Sequence, residues 1–167
     1  MKIDIIYDRL NNPYIGIKVS KWNIFWYLKY FKHILDGELY MNNQQKRDNG
    51  EYHITIFNVA ETNKLVKDGI RLDSLIGKYI TDIKYSGIGT LGDAKENTTY
   101  YISLTSKQLE RLHPKQDFHI TIGFNNKDVF KGRKFPNLIN ATSGFDILKQ
   151  YLYKLHERIL FSTLGDE

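Results

Sequence analysis

Glu51-Tyr52-His53-Ile54-Thr55-Ile56-Phe57 and Asp117-Phe118-His119-Ile120-Thr121-Ile122-Gly123 are two copies of one pattern: acid, aromatic, His, Ile, Thr, Ile. Strand side chains alternate between faces, so in each copy His and Thr point one way and both Ile residues the other. Each copy therefore reads as a strand with one apolar and one reactive face. If the two strands lie side by side about a pseudo-twofold axis, two imidazoles and two hydroxyls converge on one cleft. Such a set suits a phosphodiester flanked by a base and an acid, and that chemistry needs no metal. A single His-x-Thr triplet carries little information, because these are ordinary strand residues. Two triplets with matching flanks, 119 − 53 = 66 residues apart, are far harder to obtain by chance.

The arrangement resembles the 2H phosphoesterase superfamily, named for two His-x-Ser/Thr motifs on the two halves of a duplicated α+β domain. His53-Ile54-Thr55 and His119-Ile120-Thr121 match both motifs, and the resemblance covers residues 51–134. It implies a single bilobal domain, α+β, with lobes at residues 1–75 and 76–167 and antiparallel sheets around a central cleft with flanking helices. It implies a phosphoric diester hydrolase in which His53, Thr55, His119 and Thr121 are catalytic. Several substrates follow from it: 2′,3′-cyclic phosphates at RNA ends, 2′-5′ oligoadenylates, or the cyclic oligonucleotide messengers destroyed by phage anti-CBASS enzymes of this superfamily. The messengers are placed slightly ahead.

Histidine's ordinary pKa lets one imidazole be neutral and its twin protonated near pH 7. One then removes a proton from water or a ribose hydroxyl while the other protonates the departing oxygen. The hydroxyls of Thr55 and Thr121 hold nonbridging oxygens as charge accumulates. Which histidine plays which part is open at this level, and the pseudo-symmetry of the family leaves it open too.

The chain of 167 residues fits one domain that buries roughly two-thirds of its unfolded surface. It has no cysteine, which excludes a disulfide framework, a thiolate metal site and a cysteine nucleophile. The expected compartment is the cytosol, or the host cytosol for a viral protein. No apolar run approaches the roughly 18 residues of a membrane span, and Met1-Lys2-Ile3-Asp4 leads straight into a strand pattern. Net charge is 24 − 19 = +5, which favours anionic ligands such as phosphate. Twelve Tyr, nine Phe and two Trp can stack on nucleobases, though most are expected in the core.

Along the chain, residues 2–7 and 14–19 alternate as a hairpin around Asn11-Asn12-Pro13. Ile24, Phe25, Leu28, Phe31 and Leu35 form a helical stripe ended by Gly37. Residues 41–50 read as a polar loop, 61–67 as a short helix, and another short helix surrounds Ser74. Two strands at residues 79–88 and 98–104 flank a loop at 89–97, and a capped helix follows at 106–112. The final helix carries a stripe of Phe145, Leu148, Leu152, Leu155 and Ile159, predicted to pack across the sheet with Lys154, His156 and Arg158 solvated.

Two motifs are set aside. Gly87-Ile88-Gly89-Thr90-Leu91-Gly92 satisfies G-x-G-x-x-G, but the dinucleotide reading demands a helix immediately afterwards, and a strand pattern follows instead. A glycine-rich hairpin end is the better account. Val66-Lys67-Asp68-Gly69 places its lysine one position too late for a nucleotidyl-ligase signature.

Lys127, Lys131, Arg133 and Lys134 leave the second motif as a basic loop and are candidate phosphate ligands. Tyr100 or Tyr101, and Trp22 or Trp26, are candidates for stacking a base. Tyr52 and Phe118 alternate away from their histidines, toward the core. His33, His113 and His156 have no matched partner and read as structural or solvated. No set of three or four converging ligands is legible, so neither metal nor cofactor is expected. The rival from another class is a basic, aromatic RNA- or nucleotide-binding module without catalysis, which leaves the matched His-Thr pairs unexplained.

Overall fold

The computed structural model describes residues 1–167 except 94–95, 116, 130–131 and 166–167, so the candidate phosphate ligand Lys131 lies outside the described residues. The first half runs β1 (Ile3–Tyr7), β2 (Pro13–Val19), α1 (Phe25–His33), α2 (Glu38–Asp48) and β3 (Tyr52–Phe57). A helix α3 (Val59–Lys67) and a 3-10 turn at Leu72–Ser74 lead to the second half. This runs β4 (Lys84–Asp93), β5 (Asn97–Thr105), α4 (Lys107–Leu112), β6 (Phe118–Asn125), β7 (Ile139–Asn140) and α5 (Gly144–Gly165). Each half thus makes a hairpin, then helix, then a histidine strand.

The expected lobes merge into one antiparallel sheet of order β1-β2-β3-β6-β5-β4-β7. The histidine strands are the inner pair, and β2 and β5, then β1 and β4, flank them on either side. That is the strand order a pseudo-twofold axis between β3 and β6 produces. One sheet face is built largely of isoleucine: Ile3, Ile15, Ile17, Ile54, Ile56, Ile88, Ile102, Ile120 and Ile122 are fully buried, together with Tyr27, Phe31 and Leu109 from the helices. Burial of each such side chain contributes about 1.5–3 kcal/mol, and β-branched residues suit a pleated surface. Tyr52 and Phe118 belong to this core, as the alternation predicts.

Three sequence expectations change. The polar stretch 41–50 is mostly helix, because α2 runs to Asp48 and ends on Asn49 in the left-handed region. Its buried face is Met41 and Gln44, and the Gln44 amide donates to the Glu51 carbonyl at 2.8 Å. A polar side chain buried through a hydrogen bond leaves no trace in hydropathy.

The glycine-rich stretch is strand rather than hairpin loop, since β4 continues to Asp93. A Cβ at Gly87 would lie 1.9 Å from the Ile139 carbonyl oxygen, and one at Gly89 would lie 2.0 Å from that of Phe135. The glycines therefore let the segment after β6 fold back tightly over β4 and add β7.

Helix α5 packs along α1 instead of across the sheet, and the Arg158 guanidinium donates to the His33 and Ile34 carbonyls at the end of α1, at 2.6 and 2.9 Å. Ile147 is the buried contact, whereas Phe145, Leu152 and Ile159 of the predicted stripe are exposed. The predicted stripe lies out of phase with the face that meets α1.

Candidate active site

Ile54 and Ile120 are partners across the β3–β6 seam. Antiparallel pairing about them sets His53 opposite Thr121 and His119 opposite Thr55, all four on the face away from the isoleucine core. Both strands also carry a β-bulge one residue beyond the threonine. On β3 the register skips between Thr55, opposite Gly16, and Phe57, opposite Ile15. On β6 it skips between Thr121, opposite Tyr101, and Gly123, opposite Tyr100. A bulge bends the strand and re-aims the side chains beyond it, so the reactive face of each copy ends at the same place.

His53 meets the edge of the Tyr14 ring, 5.5 Å between centroids. Tyr14 comes from β2, whose alternation puts Tyr14, Gly16 and Lys18 on the histidine side. Burial lowers the His53 pKa, opposed chiefly by Asp48 and also by Asp128 and Glu51, while Arg47 reinforces it. Burial and Asp48 push the Tyr14 hydroxyl up to about 12, so it stays protonated.

The charges beside His53 form a clasp. The Arg47 guanidinium at the end of α2 donates to both Asp48 carboxylate oxygens, at 2.9 and 2.8 Å, and to Asp128 at 2.6 Å. It also lies over the Phe124 ring, 4.8 Å from its centroid. The Thr99 hydroxyl donates to Asp128 at 2.8 Å and accepts from the Val129 N–H at 2.5 Å. Helix α2, strand β5 and the segment leaving β6 are thereby tied together next to the first motif.

His119 has different company. Its ring meets Tyr101 edge-on at 5.9 Å, and the Tyr101 hydroxyl donates to the Phe135 carbonyl at 2.7 Å. Burial pushes its pKa down to about 3, and Lys134, Lys115 and His53 act in the same direction, opposed by the Asp117 backbone. Lys134 is only 3% exposed and donates to the Gly132 carbonyl at 3.3 Å. Burial lowers the pKa of Lys134 and of Lys115, held up respectively by Asp128 and Asp117 and by Glu61. Among the described residues, neither threonine hydroxyl makes a side-chain hydrogen bond, which leaves both available to a ligand.

The predicted basic loop divides. Lys134 comes to the His119 side, whereas Lys127 is exposed. Arg133 is exposed as well, 3.8 Å from Asp117 and over the Phe135 ring. Two stacking candidates require correction. Tyr100 points to the helical side and packs on Phe31 and Tyr40, at 5.0 and 4.9 Å, because the β6 bulge pairs it with Gly123. Tyr101, its neighbour, is the one that faces the histidines. Trp22 is 69% exposed and stacks on Phe25 beside Lys21, at the entry to α1, so it is not brought to the histidines. Tyr14, Arg47, Asp48, Asp128 and Lys115 are the site residues that the sequence reading missed. For Tyr14 the signal existed, in the alternation of β2 once it is registered against β3.

Among the remaining histidines, His113 pairs with Glu61 and stacks on Phe57 at 4.6 Å, a structural role. No three His, Asp or Glu side chains among the described residues are grouped to hold a metal ion. Shallow concavities of about 230 Å³ beside Tyr79 and Arg111 and about 280 Å³ beside Lys18 and Tyr52 do not include either histidine of the pair. No helix among the described residues is long and apolar enough to cross a membrane.

No curated protein and no solved structure gives a significant match to the chain. A family model described as Swiss Army Knife, 2H phosphoesterase domain, matches residues 26–130, more than half of the chain and both His-x-Thr motifs. With two such motifs paired at the centre of one α+β sheet, the chain belongs to the 2H phosphoesterases, a family of phosphodiester hydrolases.

Proposed function

We propose that this phosphodiesterase cleaves a nucleotide phosphodiester without a metal, one imidazole accepting the proton of the nucleophile and the other protonating the leaving oxygen. The observation that carries this reading is the pairing of the two motifs through Ile54 and Ile120, which puts two imidazoles and two unengaged hydroxyls on one face. Thr55 and Thr121 then hold the nonbridging oxygens, and Lys134 and Lys115 supply positive charge as it is needed.

The substrate in this reading is a cyclic or 2′-5′-linked oligonucleotide messenger, as in viral evasion of nucleotide-signalling defence. One feature supports it: the lysines at the His119 end, Lys134 and Lys115, match a second phosphate. The test is incubation with cyclic di- and trinucleotides, 2′-5′ oligoadenylate and a 2′,3′-cyclic nucleotide, with chromatographic separation of products. Faster turnover of the oligonucleotides supports the messenger reading. Preference for the 2′,3′-cyclic nucleotide moves the assignment to RNA ends, and binding without cleavage of any of them leaves a binding module.

A further inference from the structure

We propose that two copies of this chain associate through α5, the helices lying antiparallel about a twofold axis near Leu152. Helix α5 has two apolar faces, and the fold covers one of them. The inner face carries Ile147, fully buried, and Tyr151, whose ring lies 6.3 Å from that of Trp26 on α1. On the opposite side of a 3.6-residue turn stand Phe145, Leu152, Tyr153, Ile159, Leu160 and Leu164, each between 49% and 69% exposed. Helix α1 is also too short to reach the far end of α5. It stops at His33, whose carbonyl accepts from Arg158, so the turns from Ile159 onward run past it. There Ile159, Leu160, Phe161 and Leu164 spread over more than half of the circumference, and a helix apolar on so many sides is ordinarily buried.

Spacing, area and position select a second copy as the occupant. Phe145, Leu148, Leu152, Leu155 and Ile159 step by three and four, the a and d positions of a heptad seam, and such a seam fits its own copy on another helix. At roughly 100 Å² apiece the six exposed side chains offer about 600 Å² per copy, and Phe161 and Trp22 bring this near the ~800 Å² per partner of a stable interface. In an antiparallel pair the projecting end of one α5 reaches the start of the other. That start adjoins an exposed aromatic step: Trp22 stacks on Phe25 at 5.7 Å, Phe25 meets Trp26 at 4.9 Å, and a Cβ on Gly144 would lie 4.0 Å from Trp26.

The charges on α5 argue against a lipid surface. They are of both signs, with Lys154 and Glu157 3.4 Å apart, unlike the Lys- and Arg-rich polar face of a helix that lies on a membrane. The pairing also leaves the histidines of both copies uncovered, because α1 and α5 lie on the isoleucine side of the sheet.

Sedimentation equilibrium of the full chain should give twice the 19.7 kDa of one copy. Leu152→Glu combined with Ile159→Glu should weaken the dimer more than about thirtyfold, with circular dichroism unchanged because both side chains are exposed. The chain has no cysteine, so Leu152→Cys should cross-link to its twin under mild oxidation. Phe145→Cys, roughly 20 Å from its twin in the antiparallel pair, should not. If the double variant unfolds, the parent mass and the two cross-links decide. A monomeric parent overturns the proposal, and one that instead sediments with vesicles of phosphatidylcholine and phosphatidylglycerol assigns the face to lipid. A dimer that survives the double glutamate substitution, or that cross-links at both positions or at neither, overturns the antiparallel pairing through α5.

Discussion

His53 stands across the β3–β6 seam from Thr121, just as His119 stands across it from Thr55, because the pairing of Ile54 with Ile120 lies midway between the motifs. Each imidazole is thereby flanked by a hydroxyl from the other half of the chain, and neither half holds a complete site. His53→Ala and His119→Ala should each lower turnover of the preferred nucleotide by roughly 10²–10⁴-fold, with the double variant little worse than the poorer single, since residues acting as a unit are not additive. Thr55→Val and Thr121→Val keep the β-branch and delete the hydroxyl, so they should cost less. Turnover within a few-fold of the parent for a folded histidine variant would make that strand purely structural.

The rate should depend on pH on the acid side of neutrality. Burial lowers the pKa of both histidines, so in the free enzyme the acid loses its proton below the ordinary histidine value near 6.5. The pH profile of kcat/KM reports the free enzyme, and is expected to be bell-shaped with its maximum below about pH 6.5. Its two apparent values belong to the pair. A kcat/KM that keeps rising through pH 9 would point to a different nucleophile or base.

Activity should survive excess EDTA, because among the described residues no three His, Asp or Glu side chains are grouped to hold a metal ion. Loss of turnover in chelator with recovery on adding a divalent cation would replace the two-histidine chemistry by a metal-assisted one.

The sequence displayed whatever repeats with a period of two. Ile54, Ile56, Ile120 and Ile122 alternate with His and Thr, and all four are fully buried. It concealed the features that depend on contacts distant along the chain. Gln44 is buried by a hydrogen bond to Glu51, so its helix has no apolar stripe to read. Tyr100 and Tyr101 are adjacent and equivalent as letters; only the pairing with β6, including its bulge, decides which one faces His119. The basic run 127–134 likewise looks uniform, yet it holds an exposed Lys127 and a buried Lys134. The clasp at His53 joins Arg47 to Asp128, 128 − 47 = 81 residues away, and nothing local announces it.

That clasp should contribute far more to stability than an ordinary surface pair. The Asp128 side chain is 7% exposed and that of Arg47 23%, against 66% and 39% for Glu38 and Lys32, which lie 3.8 Å apart. Asp128→Ala leaves the buried guanidinium with Asp48 alone and strips the Thr99 hydroxyl of its acceptor, so it should cost about 2–3 kcal/mol. Glu38→Ala should cost under about 1 kcal/mol. Chemical denaturation of both variants measures the difference, and equal costs would mean that the clasp is as well solvated as the surface pair.

The histidines should also make the fold sensitive to mild acid. In the folded chain His119 titrates at about 3 and His53 is lowered as well, whereas in the unfolded chain both titrate near 6.5. Between those values the unfolded chain binds protons that the folded chain does not, so stability rises with pH across that window. The full contribution is present above about pH 6.5 and is lost progressively as pH falls toward 3. Glu61 and Asp82, whose pKa values are also lowered, act only below their unfolded values of 4.5 and 3.8, so the range from pH 5 to 6.5 isolates the histidines from them. The denaturation midpoint of the parent should fall between pH 7 and pH 5, and that of His119→Gln should fall less, because glutamine takes up no proton on unfolding. A parent that is equally stable at both values, or a variant with the same slope as the parent, would mean that His119 binds protons in the folded chain as readily as in the unfolded one.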